Sequence, residues 1–297
     1  MVHLPADVAG AGHRPKPVIA GAAARFAERA LPLLPSAFEF PVATVGGAIA
    51  YRASAGARAA VRENLSIVVP EQRDREPLVR QVFVEQVRHY IEIFRLARLD
   101  HEMVRRTVVT DGWELFVAAA ARGNGVILAS AHVGPVSVCG QIIAANGYEI
   151  TLPIENETTE LARAINRART RMGLRFVETD SALGIARILR RGGILGVLAD
   201  RAVTGVGERV PFFGRPALLP SVHVALALRT GAALMPAFAH RDGNVLRAVF
   251  EPAIELPRTG DRDLDVREGM RRWVTVLERH IRQAPEQWSV FEPVWRR

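Results

Sequence analysis

The chain has 297 residues, of which 49% are hydrophobic and 24% charged, a balance that excludes a disordered polypeptide and allows one large domain or two ordinary ones. A single cysteine, Cys139, excludes an internal disulfide and reads as a small buried apolar side chain. The formal charge of +8 is almost entirely arginine, with Lys16 the only lysine; arginines spread along the whole chain suit nucleic acid, an acidic membrane surface or a phosphorylated substrate, and equally a compositional bias.

The first 20 residues carry Pro5, Pro15 and Pro17 and no continuous apolar run, so no secretory signal is predicted. No stretch of 18 apolar residues is present, so no membrane span is predicted either. From Val18 to Tyr51 the chain is apolar and alanine-rich, interrupted by charges and by Pro32, Pro35 and Pro41. Two short helices fit this stretch, lying on a membrane face or packed on the core. Residues 18–100 read as mainly helical.

From residue 125 the pattern alternates. Gly125–Ala131 is a short apolar run and reads as a buried strand. A helix is predicted from Pro135 to Ala145, ended by Gly147. Strands follow at 148–154, 174–178, 194–200, 232–239 and 245–255. Helices are predicted at 158–172, at 181–191 with Ser181 as N-cap, at 218–229 and at 264–283. The stretch with Gly205, Gly207 and Gly214 reads as a loop. This rhythm predicts an α/β fold: a central, mostly parallel sheet flanked by helices on both faces, with a helical N-terminal region.

In open α/β sheets, ligands bind beyond the carboxyl ends of the strands. His132 follows one strand end, and Asp200 closes another. A histidine there can take a proton from a hydroxyl near neutral pH; it can equally be a histidine satisfied in a turn. Gly134 permits a tight turn, and Pro135 suits a first helical position. Gly134-Pro-Val-Ser137-Val-Cys-Gly140 lacks the Gly-x-Ser-x-Gly spacing of a nucleophile elbow. A phosphate loop and a zinc-binding helix are also missing, and the eight histidines show no metal-ligand spacing. Basic and aromatic residues do not interleave, which argues against nucleic acid as a partner.

The order of segments resembles the lysophospholipid acyltransferase family of the lipid A late-acyltransferase type, most of all the actinobacterial branch that acylates phosphatidylinositol mannosides. The resemblance runs from Arg62 to Trp295. It is carried by Arg62-Glu-Asn-Leu65, Val69-Pro-Glu71, Glu92 and Ala131-His-Val-Gly134. It continues through Arg169-Thr-Arg-Met-Gly173, Leu198-Ala-Asp-Arg201, Val210-Pro-Phe-Phe-Gly214, Leu228-Arg-Thr-Gly-Ala232, Met235-Pro236 and Pro285-Glu-Gln-Trp288.

The resemblance implies one acyltransferase domain over 1–297. Residues 1–60 would supply membrane-surface helices, 61–105 a helical lead-in and 106–297 the α/β core. It implies that His132 is the general base, deprotonating a lipid or sugar hydroxyl that attacks the thioester of acyl-CoA or an acyl carrier protein. No cofactor and no metal are then needed. The partners are an acyl donor and a membrane lipid acceptor, met by peripheral association at the cytoplasmic face of the cell membrane. Asp200 and Arg201 would line the site, Arg169 would hold a phosphate or the donor, and Glu155 would be a further substrate-binding residue. Phe212 and Phe213 would wall an acyl channel or pack in the core.

One departure stands out. The family places an Asp or Glu five positions after the histidine, and this chain has Ser137. Asp200, expected at the same sheet edge, is the candidate for the replacement acid. Either an Asp200 or a Glu155 carboxylate comes within hydrogen-bond reach of His132, or the chain is a catalytically impaired relative that binds lipid or a partner.

Overall fold

The computed structural model describes residues 28–154, 159–178, 182–202 and 205–295. After a 3-10 turn at Leu31–Leu33, three helices follow: α1 (Ser36–Ala53), α2 (Ala55–Val68) and α3 (Glu76–Leu96). Next come α4 (His101–Thr107), β1 (Val108–Asp111) and α5 (Trp113–Ala121). Strand and helix then alternate through β2 (Val126–Ser130), α6 (Ser137–Ala145), β3 (Ile150–Ile154), α7 (Glu160–Arg171), β4 (Arg175–Glu178), α8 (Ala182–Arg190) and β5 (Ile194–Leu198). A hairpin of β6 (Glu208–Phe212) and β7 (Arg215–Leu219) precedes α9 (Val222–Thr230), β8 (Ala233–Asp242), β9 (Val245–Phe250) and α10 (Arg262–Gln283). A last 3-10 turn spans Pro285–Gln287.

The main sheet has seven strands in the order β1-β9-β8-β2-β5-β3-β4. Strands β8, β2, β5, β3 and β4 run parallel; β9 pairs antiparallel with β8, and β1 runs with β9. The mostly parallel α/β architecture and the helical N-terminal region are therefore as the sequence predicts.

Strand β2 shows why the sheet must be covered on both sides. Ile127 and Ala129 join a core with Ile185 and Leu189 of α8, Val224 of α9, and Met270 and Trp273 of α10. Val126 and Leu128 face the other way, against Phe116 of α5 and Val138, Ile142 and Ile143 of α6. Alternate side chains of one strand point to opposite faces, so an unbroken apolar run needs two apolar partners. Each fully buried large aliphatic side chain contributes roughly 1.5–3 kcal/mol. Cys139 is buried in the second core, and burial pushes its thiol up to about 12.

Several elements differ from the sequence expectation. The stretch read as a loop forms the β6–β7 hairpin, and α9 begins at Val222 rather than Leu218. Pro211 and Pro216 obscure these strands, yet they sit opposite one another in a two-stranded ribbon, where missing ladder donors are tolerated. The connecting residues Phe213 and Gly214 both have positive φ, 49° and 72°, the twist a tight hairpin needs. The Phe213 N–H donates to Glu278, and the Arg282 guanidinium lies 4.5 Å over its ring. Strand β1 was not expected either; at four residues it is too short to show a period. Strand β9 ends at Phe250 rather than at 255, and α6 starts at Ser137 rather than Pro135. Ser181, expected as an N-cap, lies outside the described residues.

Candidate active site

The register of two neighbouring strands sets the site. In the parallel pair of β2 and β5, Ser130 lies opposite Leu198, and the Ala199 N–H donates to the Ser130 carbonyl (2.9 Å) just beyond. His132 and Asp200 each stand two residues past these positions, so they leave the sheet side by side. The His132 Nδ1–H donates to Asp200 Oδ1 (2.8 Å), and the His132 backbone N–H donates to Oδ2 (3.0 Å). The Trp288 indole N–H also donates to Oδ2 (2.9 Å). Asp200 is fully buried, while the His132 side chain keeps 26% exposure.

Burial opposes the charge of Asp200, but the His132 ring, its backbone N–H and the Trp288 indole outweigh it and hold the carboxyl below its ordinary value. An ionised carboxylate can only accept hydrogen bonds. Its contact therefore keeps the proton on Nδ1 and leaves the Nε2 lone pair as the ring's acceptor. A histidine in that tautomer can take a proton from a hydroxyl.

The turn carrying His132 is clamped from the C-terminal segment. Ser289 N–H donates to the His132 carbonyl (2.8 Å), and Gly134 N–H donates to the Gln287 carbonyl (2.9 Å). Gly134 has φ +57°, and a Cβ there would come within 2.4 Å of the Ala239 carbonyl oxygen. Only glycine fits this approach of turn to strand. Gln287 in turn exchanges hydrogen bonds with the Arg241 backbone, 2.9 and 2.8 Å. The Arg241 guanidinium, at the end of β8, is gripped by Glu92 and Glu85 of α3. Asn64 of α2 binds the same C-terminal segment at the Val290 and Glu292 carbonyls and the Val294 N–H. The helical lead-in thus holds the ends of the site together through buried polar contacts.

The sequence has known relatives. A family model described as bacterial lipid A biosynthesis acyltransferase matches residues 17–297. The chain belongs to that family, and it is an acyltransferase. It is 27% identical over 255 residues to a phosphatidylinositol mannoside acyltransferase of Mycobacterium tuberculosis, covering 82% of this chain and 79% of that protein. To the protein of the same name from Mycolicibacterium smegmatis it is 25% identical over 258 residues, covering 84% and 83%.

Within this acyltransferase, the remaining expected residues separate. Ser137, where an acid was expected by resemblance, does not serve the histidine; its hydroxyl accepts from Arg169 Nε (3.1 Å). Arg169 also donates to Asn166 Oδ1 of its own helix (3.4 Å), and its contact with Ser137 ties it to the start of α6. Arg201 turns to Glu292 on the C-terminal segment. Glu155 lies outside the described residues. Phe212 is fully buried and stacks on Trp295 at 5.2 Å, a core position, while Phe213 occupies the hairpin turn. Trp288, Gln287 and Arg241 were missed as site residues. The Pro285-Glu-Gln-Trp288 string and Glu92 were the signals, and neither says what it touches.

Because Asp200 holds the ring, Ser137→Ala should leave kcat within about tenfold of wild type. What it removes is one hydrogen bond to a charged group, roughly 1.5–3 kcal/mol, and that loss should appear as a raised KM through a looser Arg169. Steady-state kinetics checks this; a kcat loss of 10³ would instead put Ser137 in the proton path.

Proposed function

We propose that this acyltransferase moves a fatty acyl chain from an acyl thioester, acyl-CoA or acyl carrier protein, to a hydroxyl of a membrane glycolipid such as a phosphatidylinositol mannoside. The observation that carries the reading is the His132–Asp200 pair at the carboxyl ends of β2 and β5. His132 Nε2 removes the acceptor's proton, and the alkoxide attacks the thioester carbonyl. Asp200 orients the ring and balances the imidazolium as it forms. Arg169 holds a phosphate of donor or acceptor, for which a rigid guanidinium is suited. The names of the relatives support the glycolipid acceptor. The Asp200 carboxylate at His132, with no acid at position 137, supports this reading over that of an impaired relative.

Among the described residues no helix is long and apolar enough to cross a membrane. Helix α1 has a different design. Its Glu39, Ala43 and Gly47, spaced by four, pack inward. A Cβ on Gly47 would lie 2.7 Å from Val84 Cα of α3. Glu39 is pinned by Arg88 (2.9 Å) and by Arg95 of the same helix. The opposite side exposes Phe38 (57%), Val45 (61%) and Ile49 (63%). An exposed apolar helix face of this kind suits insertion at a bilayer interface. We read it as the peripheral attachment to the cytoplasmic face, where the acyl donor is soluble and the acceptor is not.

The test is to incubate the protein with a long-chain acyl-CoA and vesicles containing phosphatidylinositol mannoside, and to follow acylated product by mass spectrometry. His132→Ala should lower product formation by about 10²–10⁴-fold, the usual worth of a general base. Undiminished transfer by that variant would end the reading. A Val45→Asp, Ile49→Asp variant should float less with the vesicles; unchanged flotation would remove the role given to α1.

A further inference from the structure

Two segments, 210–214 and 285–288, carry no reacting group of their own, yet they meet at one indole. Residues 287–289 run antiparallel to 132–134. Val133 bridges Trp288, the Ser289 N–H donates to the His132 carbonyl (2.8 Å), and the Gly134 N–H donates to the Gln287 carbonyl (2.9 Å). From this short ribbon the Trp288 side chain, buried at 2% exposure, reaches the end of β5, where its N–H donates to Asp200 Oδ2 (2.9 Å). One stretch of chain thus holds both the backbone of the base and the carboxylate behind it.

The indole is locked from behind. Phe212 of β6 and Trp295 each meet it edge-on, with centroids 6.2 Å away and interplanar angles of 85° and 78°. These two rings stack on one another at 5.2 Å, and the Trp295 indole donates to the Phe212 carbonyl (3.0 Å). Aromatic packing of this kind is directional as well as favourable, so the Trp288 N–H is held in one direction. That direction matters to Asp200. A carboxylate turns readily about its terminal torsion, which is broad and two-fold. Oδ1 takes the His132 ring proton, so the plane of the group depends on what holds Oδ2. The His132 backbone N–H (3.0 Å) and the Trp288 indole share that task. The backbone donor belongs to the residue whose ring must be oriented and moves with it. Of the three donors to Asp200, the indole alone comes from outside His132.

We propose that Trp288 is a positioning residue for acyl transfer, its N–H fixing the Asp200 carboxylate in the plane that meets His132 Nδ1. The inference rests on the general-base reading above. With the indole N–H in place, the ring is held in one orientation and Nε2 faces the acceptor hydroxyl. Without it, Oδ2 keeps a single donor, the carboxylate swings with the turn, and the imidazole spends time in orientations from which Nε2 misses the hydroxyl. Trp288 is too buried to meet a substrate itself. Its loss should therefore fall on kcat and leave KM alone.

The experiment replaces Trp288, through an amber codon, with benzothienylalanine, in which sulfur stands where the indole N–H was and the shape is kept. A purely packing role would survive this change. Acyl transfer from a long-chain acyl-CoA to vesicles containing phosphatidylinositol mannoside should show kcat lowered by about 10–100-fold, the scale of one hydrogen bond to a charged group. KM for both substrates and the circular dichroism spectrum should stay close to wild type. In proton NMR, the downfield resonance of the hydrogen between His132 Nδ1 and Asp200 should broaden or move upfield. Wild-type kcat in the folded isostere overturns the proposal, and so does a loss confined to KM. Should the isostere fail to fold, nitrogen-15 NMR of the natural indole decides. The Trp288 signal should move when Asp200→Asn removes the charge it donates to, and an unmoved signal refutes the assignment. Full kcat in the isostere beside an inactive His132→Ala sinks this inference alone; an active His132→Ala sinks the general-base reading.

Discussion

Asp200→Asn is expected to lower acyl-transfer turnover by about 10⁴-fold, the scale seen when the buried acid behind a catalytic histidine becomes an amide. Asp200 accepts from the His132 ring, the His132 backbone and the Trp288 indole, and it is fully buried. Three donors converge on two oxygens. An asparagine keeps the shape but offers one acceptor oxygen and one N–H group. If the oxygen stays with the backbone and Trp288 donors, its N–H group faces His132 Nδ1. The ring then shifts its proton to Nε2, the nitrogen that must accept from the substrate. The defect should fall on kcat, with KM and the circular dichroism spectrum close to wild type. Turnover within tenfold of wild type would show that the imidazole does not depend on this carboxylate. The contrast with Ser137→Ala is the informative one. By resemblance the larger loss belongs at position 137; by geometry it belongs at position 200.

Arg241→Met should be the most destabilising single change near the site, by about 3–5 kcal/mol, because it strands Glu85 and Glu92 in the interior. For a domain of this size that is a fall in Tm of roughly 10 °C. The Gln287 bridge uses the Arg241 backbone, so the clamp on the His132 turn survives in the folded variant. Stability should therefore suffer more than kcat. Burial pushes the Glu92 carboxyl up even with Arg241 attached, and without the guanidinium nothing at that contact opposes the rise. A carboxyl whose folded pKa exceeds its unfolded one costs nothing while both states are protonated. Its cost then grows as pH rises from the unfolded value toward the folded one. The deficit of Arg241→Met should thus be smallest at the acid end and widen toward neutrality. Urea titrations at several pH values measure it, and a pH-independent deficit would contradict the electrostatic account. Replacing Glu85 with Gln and Glu92 with Met in the same chain should return most of the stability, since removing all the buried charges spares the cost of stranding them.

These two predictions separate what the amino-acid order determined from what folding decided. The apolar run 125–131, with glycine before it and a histidine after it, was enough to foresee a buried strand ending in a polar residue. The same logic applied to 194–200, because period and burial are local properties of the chain. The family's segments were legible too, as was the break at Ser137. The β6–β7 hairpin was not, because Pro211 and Pro216 disguise strands whose pairing alone makes them acceptable. The sequence favoured Asp200 over Glu155 as the partner of His132, since both Asp200 and His132 follow apolar strands, but strand pairing was needed to make that choice. That choice follows from the register of β2 against β5, a contact between residues 68 positions apart. Trp288 and Arg241 come to the site from a C-terminal turn and a sheet strand. Sequence order determined which residues stand at strand ends. Only the tertiary structure decided which carboxylate meets the imidazole, because hydrogen bonds act over about 3 Å in space and are indifferent to distance along the chain.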